Sequence, residues 1–200
     1  MTFLRQDDPT DEPLVRALLK TARLWIENTY DLTMVETTWE GTADRFPRYS
    51  SSAVWQYNSD AIWQQRLPVT QLSGQWYPDR AAIRVTRPPL VSVVSITYFD
   101  TTGTLITVPT SVYNVDTSTP RGRIAPAFGQ IWPIVQQQLA SVIVTYVAGY
   151  GPLGTDVPET LRTAVKMLTL HLYEHRGDED VKIPETVHNL IRAEFDAEYN

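Results

Sequence analysis

The chain has 200 residues, 42% of them hydrophobic, with 23 acidic against 17 basic side chains and a net charge of −6. That length suits one compact domain, or one carrying an inserted lobe, burying roughly 70% of its unfolded surface, while the acidic balance argues against general attraction to nucleic acid or anionic membrane. The lack of cysteine excludes a disulfide framework and thiol catalysis, and neither a signal peptide near Met1 nor an apolar run long enough to span a bilayer is visible.

Residues 11–29 read as a helix. Thr10 or Asp11 can cap it, Pro13 fits its first turn, and Leu14, Leu18, Ala22, Trp25 and Ile26 recur at helical spacing. β-Branched residues then dominate 33–39, which predicts a strand. From 44 to 80 the periodicity fades into loop-like clusters, yet Tyr49, Trp55, Tyr57, Trp63, Trp76 and Tyr77 are interleaved among them, more rings than a disordered linker carries. Two readings of this excursion stay open. Its rings pack back on their own sheet, or Trp55, Tyr57, Trp63, Trp76 and Tyr77 anchor a neighbouring subunit or partner.

Short strands follow at near-regular spacing. Residues 81–86 form one, stopped by Arg87-Pro88-Pro89 because neither proline can donate to a ladder. Residues 90–99 form a stronger one with both faces partly apolar. Asp100-Thr101-Thr102-Gly103 is a hairpin signal, with Gly103 supplying the left-handed position, and 104–108 returns. Residues 112–115 and 122–125 add two more, Trp132-Pro133 precedes the last, and 140–148 closes the set. This spacing predicts a small antiparallel sheet, sandwich or barrel. In the turn Arg121-Gly122-Arg123 the two arginines are either a contact for a phosphate or acidic patch or simply exposed turn residues.

The stretch 144–176 combines an apolar strand, a glycine-rich turn and a helix. Asp156 is placed to cap the helix with Glu159 three residues on, Pro158 fits its first turn, and Leu161, Val165, Leu168 and Leu172 make its buried face. Gly149-x-Gly151-x-x-Gly154 matches a dinucleotide fingerprint in text only, since no second parallel strand with an acidic ribose ligand follows. His171-Leu172-Tyr173-Glu174-His175 fits the inverted zinc-protease pattern, so a zinc hydrolase using His171 and His175 is an alternative reading. A catalytic zinc needs a third protein ligand, however, and only His188 and a few carboxylates remain downstream; histidines packed at a core edge explain the pair more simply. A last helix over 184–199 carries Val187, Leu190, Ile191, Phe195 and Tyr199 on one side. No nucleophile elbow, phosphate-binding lysine loop or paired zinc-ligand cluster is found, and no cofactor is expected.

Tyr146-Val147-Ala148-Gly149-Tyr150-Gly151, Val157-Pro158-Glu159-Thr160-Leu161 and His171-Leu172-Tyr173-Glu174-His175-Arg176 together resemble the C-terminal signature of the head-tail connector (adaptor) proteins of long-tailed bacteriophages and gene transfer particles. Arg87-Pro88-Pro89-Leu90, Ser92-Val93-Val94-Ser95-Ile96-Thr97-Tyr98, Asp100, Gly103, Tyr113 and Trp132-Pro133 extend the resemblance in order and spacing, as do Trp25-Ile26-Glu27 and Phe46-Pro47. The 49–77 segment departs from the family pattern in its length and aromatic content.

The resemblance implies a structural protein rather than an enzyme, and helices at both ends of a β-rich middle predict an α+β fold. Residues 1–32 and 155–200 would form a small helical bundle, and 33–154 an inserted antiparallel β lobe with the aromatic excursion at 44–80. It further implies a ring of about twelve copies beneath the portal protein in the virion neck, joined to the next neck or tail protein. Such a protein is made in the host bacterial cytoplasm and lets double-stranded DNA pass without specific binding, with no membrane contact. A tail-side completion or stopper protein of the same neck is the nearest alternative. Arg121, Arg123 and the aromatic excursion are the expected partner contacts, together with Leu190, Ile191, Phe195 and Tyr199 of the last helix, which the family would place against the portal.

Overall fold

The computed structural model describes residues 11–47, 81–119, 121–176 and 182–199, with side chains through Glu194. Among these residues three helices, α1 (Glu12–Thr29), α2 (Glu159–Glu174) and α3 (Glu185–Tyr199), accompany seven strands. These are β1 (Thr37–Ala43), β2 (Ile83–Arg84), β3 (Leu90–Phe99), β4 (Leu105–Thr107), β5 (Tyr113–Asp116), β6 (Arg123–Pro126) and β7 (Val142–Ala148). The fold is α+β, with a four-stranded sheet in the order β1-β7-β3-β4 and a three-stranded sheet in the order β2-β6-β5, every pair antiparallel.

Strand β7 organises the lobe because its side chains alternate between two environments. Val142, Val144, Tyr146 and Ala148 are buried, while Ile143, Thr145 and Val147 are half-buried on the other face. The buried set packs with Ile96, Val108, Tyr113, Ile124 and Trp132 into one apolar core. Phe46 stacks on Trp132 with ring centroids 4.7 Å apart, and the Trp132 indole N–H donates to the carbonyl of Ala81 at 2.6 Å, so a buried polar atom is satisfied. The pairing of β3 with β7 slips twice, between Leu90 and Ser92 and between Val93 and Ser95. Val91 and Val94 are the extra residues at these bulges, and they stand 44% and 59% exposed. This explains why β3 has apolar residues on both faces.

A second core belongs to the helices. Ala22 and Ile26 of α1, Leu161, Ala164 and Leu168 of α2, and Val187 and Ile191 of α3 meet Leu32 and Met34 from the chain leaving α1. Burying such side chains stabilises by about 1.5–3 kcal/mol each. The buried carboxylate of Glu27 accepts the Met34 N–H at 3.0 Å and faces Arg23 at 3.7 Å, so the charge is compensated. Bundle and lobe are joined by backbone. Thr33 N–H donates to the Pro88 carbonyl at 2.8 Å, Gly149 N–H to Pro89 at 2.9 Å and Glu36 N–H to Gly151 at 2.8 Å. Arg87 reinforces the joint, donating to the Glu27 carbonyl at 3.2 Å and to Asn28 Oδ1 at 3.0 Å while its guanidinium lies 4.6 Å from the Trp39 ring.

Several local expectations need correction. The first strand lies at Thr37–Ala43 instead of 33–39, because pairing with β7 starts at Thr37 and Met34 is drawn into the helical core. Asp156 does not cap α2: its carboxylate takes the Leu153 N–H at 2.9 Å within the preceding turn, and Pro158, which makes no side-chain cap bond, occupies the cap position. Asp11 likewise makes no cap bond on α1, since its carboxylate receives the Tyr173 hydroxyl at 2.5 Å. Leu14, expected on the buried face of α1, is 38% exposed.

Candidate interaction surfaces

The loop between β6 and β7 carries the most exposed apolar side chains among the described residues. Phe128 is 86% exposed, Ile131 83%, Leu139 82% and Ile134 70%. The loop is held from beneath: Trp132 and Val135 are buried in the lobe core, the Gln136 N–H donates to the Phe99 carbonyl at 2.9 Å, and the Ser141 hydroxyl donates to the Gln136 carbonyl at 2.7 Å. Alternate residues therefore anchor the loop and turn its remaining apolar side chains to water. It stands where β7 begins, at the lobe end remote from the helices, beside the hairpin after β3 in which the Asp100 carboxylate accepts the N–H groups of Thr102 and Thr104. These hydrogen bonds to the ionised form, the Thr102 hydroxyl first, hold the Asp100 carboxyl below the usual carboxylate range.

At the other end of β7 the bundle opens a cleft of about 450 Å³ between α1, α2 and the chain entering β1. Its walls include Leu19, Met34, Val35, Val157 and Val165, and four cations, Lys20, Arg23, Arg162 and Lys166, stand around them. Two carboxylates answer those cations. Glu159 pairs with Arg162 and, at 3.3 Å, with Lys166, and Glu27 faces Arg23. The Nε atoms of Arg23 and Arg162 are buried without a hydrogen-bond partner. A cationic site on a chain of net charge −6 is a local inversion of the whole.

The residues singled out from sequence fall in different places. Trp55, Tyr57, Trp63, Trp76 and Tyr77 lie outside the described residues, as do the side chains of Phe195 and Tyr199. Arg121 is exposed, whereas Arg123 is tied to Asp116, its Nε 3.0 Å from Oδ2. The Ser118 hydroxyl and N–H, with Arg123 after them, lower the Asp116 carboxyl to a pKa of about 2. Ile191 is fully buried and Leu190 packs partly buried beside it, so both serve the bundle core. The rings of His171 and His175 lie 4.3 Å apart, but His175 Nδ1 is 2.9 Å from the His171 carbonyl. His188 is engaged elsewhere, sharing a 2.6 Å hydrogen bond with the Tyr30 hydroxyl and meeting Trp25 edge-on. Burial pushes the Tyr30 phenol above its ordinary value. Among the described residues no three His, Cys, Asp or Glu side chains converge to hold a metal, and β7 has antiparallel neighbours on both sides, which removes the parallel-strand setting a dinucleotide fingerprint requires.

Neither the apolar loop nor the cationic cleft is evident from the motifs. The loop had one available signal: no Asp, Glu, Lys or Arg occurs between Arg123 and Asp156. The cleft had none, since it draws on residues more than a hundred positions apart.

The fold is shared with chains of gene transfer agent particles. No protein-family model and no curated protein matches the chain. Among solved structures it is similar to a chain in the neck of an empty GTA (gene transfer agent) particle computed with C6 symmetry, with a TM-score of 0.64 and 18% identity over 94% of this chain and 80% of that one. A chain in the neck of the native GTA particle, computed with C12 symmetry, gives a TM-score of 0.62 and 18% identity over 90% and 80% of the two chains. One in the native GTA virion gives 0.63 and 17% over 95% and 80%.

Proposed function

We propose that this chain is a structural subunit of the neck of a tailed, phage-like particle, assembled as a ring beneath the portal and joined on its far side to the next neck or tail protein. The observation that carries this reading is the likeness over 94% of the chain to a GTA neck chain. The distribution of surfaces agrees with it, because a connector needs two unlike faces and the chain has a charge-free apolar loop at one end of β7 and a helical bundle with a cationic cleft at the other. In this reading the loop around Ile131 and Ile134 meets one axial neighbour and the bundle meets the other. The chain acts by binding and carries out no reaction. An acidic ring also repels a passing genome and so lets DNA slide through.

The test is co-sedimentation of the purified chain with portals and, separately, with tails from the same particle. Saturable binding to portals at one chain per portal subunit is the expected result, and Ile131→Ser with Ile134→Ser abolishes the join to the next protein without unfolding the chain. Binding to tails alone makes the protein the tail-side stopper, and binding to neither refutes the neck assignment.

A further inference from the structure

We infer that the cationic cleft of one copy receives the acidic outer edge of strand β1 of the next copy, and that this contact closes the ring. The inference rests on the ring reading above and names the surfaces that would build it. A ring of identical chains needs a heterologous contact, in which one patch meets a different patch on the neighbour. The cleft is one such patch. The second is the edge of the four-stranded sheet, where, among the described residues, β1 pairs with β7 on one side only. Trp39 packs toward the lobe core, so strand alternation puts Thr38, Glu40 and Thr42 on the opposite, outer face. Glu36 and Asp44 extend that row at both ends, and all three carboxylate residues are exposed.

Charge and dimension agree. Glu36 and Glu40, four residues apart on extended chain, stand about 13 Å apart, while cations on two packed helices lie in rows about 10 Å apart. Carboxylates on the edge can therefore reach Lys20 on α1 and Lys166 on α2. Beside the acidic row, the half-buried side chains of Ile143 and Val147 offer apolar surface to the walls of the cleft. Chains of net charge −6 repel one another, so a copy-to-copy contact needs a place where the sign is locally reversed, and the cleft provides it.

The test is a charge swap followed by sedimentation velocity. A cleft variant, Lys20→Glu with Lys166→Glu, and an edge variant, Glu36→Lys with Glu40→Lys, alter exposed or partly exposed side chains, and circular dichroism verifies that each folds. The wild-type chain forms rings at low ionic strength and loses them toward about 1 M salt, where charges are screened within about 3 Å. Each variant alone needs at least about tenfold more protein to assemble. An equimolar mixture restores rings, because every interface then joins opposite charges when the two variants alternate. Variants that assemble like wild type, or a folded mixture that fails to, overturn the contact while leaving the ring standing; a wild-type chain monomeric under all these conditions overturns the ring as well.

Discussion

Replacing Gly149 by alanine should loosen the joint between lobe and bundle. The residue has φ +134°, and an added Cβ would lie 2.6 Å from both the Cα and the N of Glu36 and 2.8 Å from the Val35 carbonyl carbon. These are backbone atoms, held by the Glu36 N–H to Gly151 carbonyl bond and by the Tyr150 N–H to Met34 carbonyl bond at 3.1 Å, so they cannot yield as a flexible side chain would. Backbone strain costs about 1–3 kcal/mol, and overpacking adds about 1–3 kcal/mol. For a chain of this size each kcal/mol lowers Tm by about 2–4 °C, giving a fall of roughly 5–20 °C. Thermal unfolding followed by circular dichroism measures it. Gly154→Ala is the control, since a Cβ there meets nothing within 4 Å. If Gly149→Ala melts within a degree or so of wild type while the control is silent, the close approach of residues 35–36 to this turn is wrong.

Three further outcomes are expected. Leu168→Ala, at a fully buried position of the helical core, should cost about 2–5 kcal/mol in urea unfolding. Asp116 should titrate at about 2 by carboxyl-carbon NMR, against an ordinary value of 3.8. Because its folded pKa is depressed, its stabilising effect on the β5–β6 turn is complete above the ordinary value and is lost as pH falls toward 2, and Asp116→Asn removes that dependence. Exhaustive treatment with a chelator should leave Tm unchanged, and a drop reversed by zinc would revive the His171/His175 hydrolase reading.

Much of the architecture was legible because short-range chemistry encodes it. The hairpin at Asp100 is written in five consecutive residues, since its carboxylate closes its own turn through the N–H groups of Thr102 and Thr104. The spacing of Leu161 and Leu168 declares a buried helix face, and alternation along 142–148 declares a strand with one face inside. The cap expected at Asp156 illustrates the limit: two acceptable partners lay within reach of one carboxylate, and the tertiary path of the preceding turn chose the Leu153 N–H.

Composition and spacing by themselves determined that this is an α+β chain with terminal helices around antiparallel strands, and that its net charge is negative. The tertiary structure alone decided where that charge is reversed. Lys20 and Lys166 share a cleft only because α1 packs on α2. It also decided which apolar residues face water: Val91 and Val94 through the two bulges of β3, and Ile131 and Ile134 because Trp132 and Val135 are the residues of that loop drawn into the core. Local hydrogen bonds and helical or strand periods act over a few residues and can be read along the chain. Exposure and surface potential depend on what lies opposite in space, and that is set by contacts between segments the sequence leaves far apart.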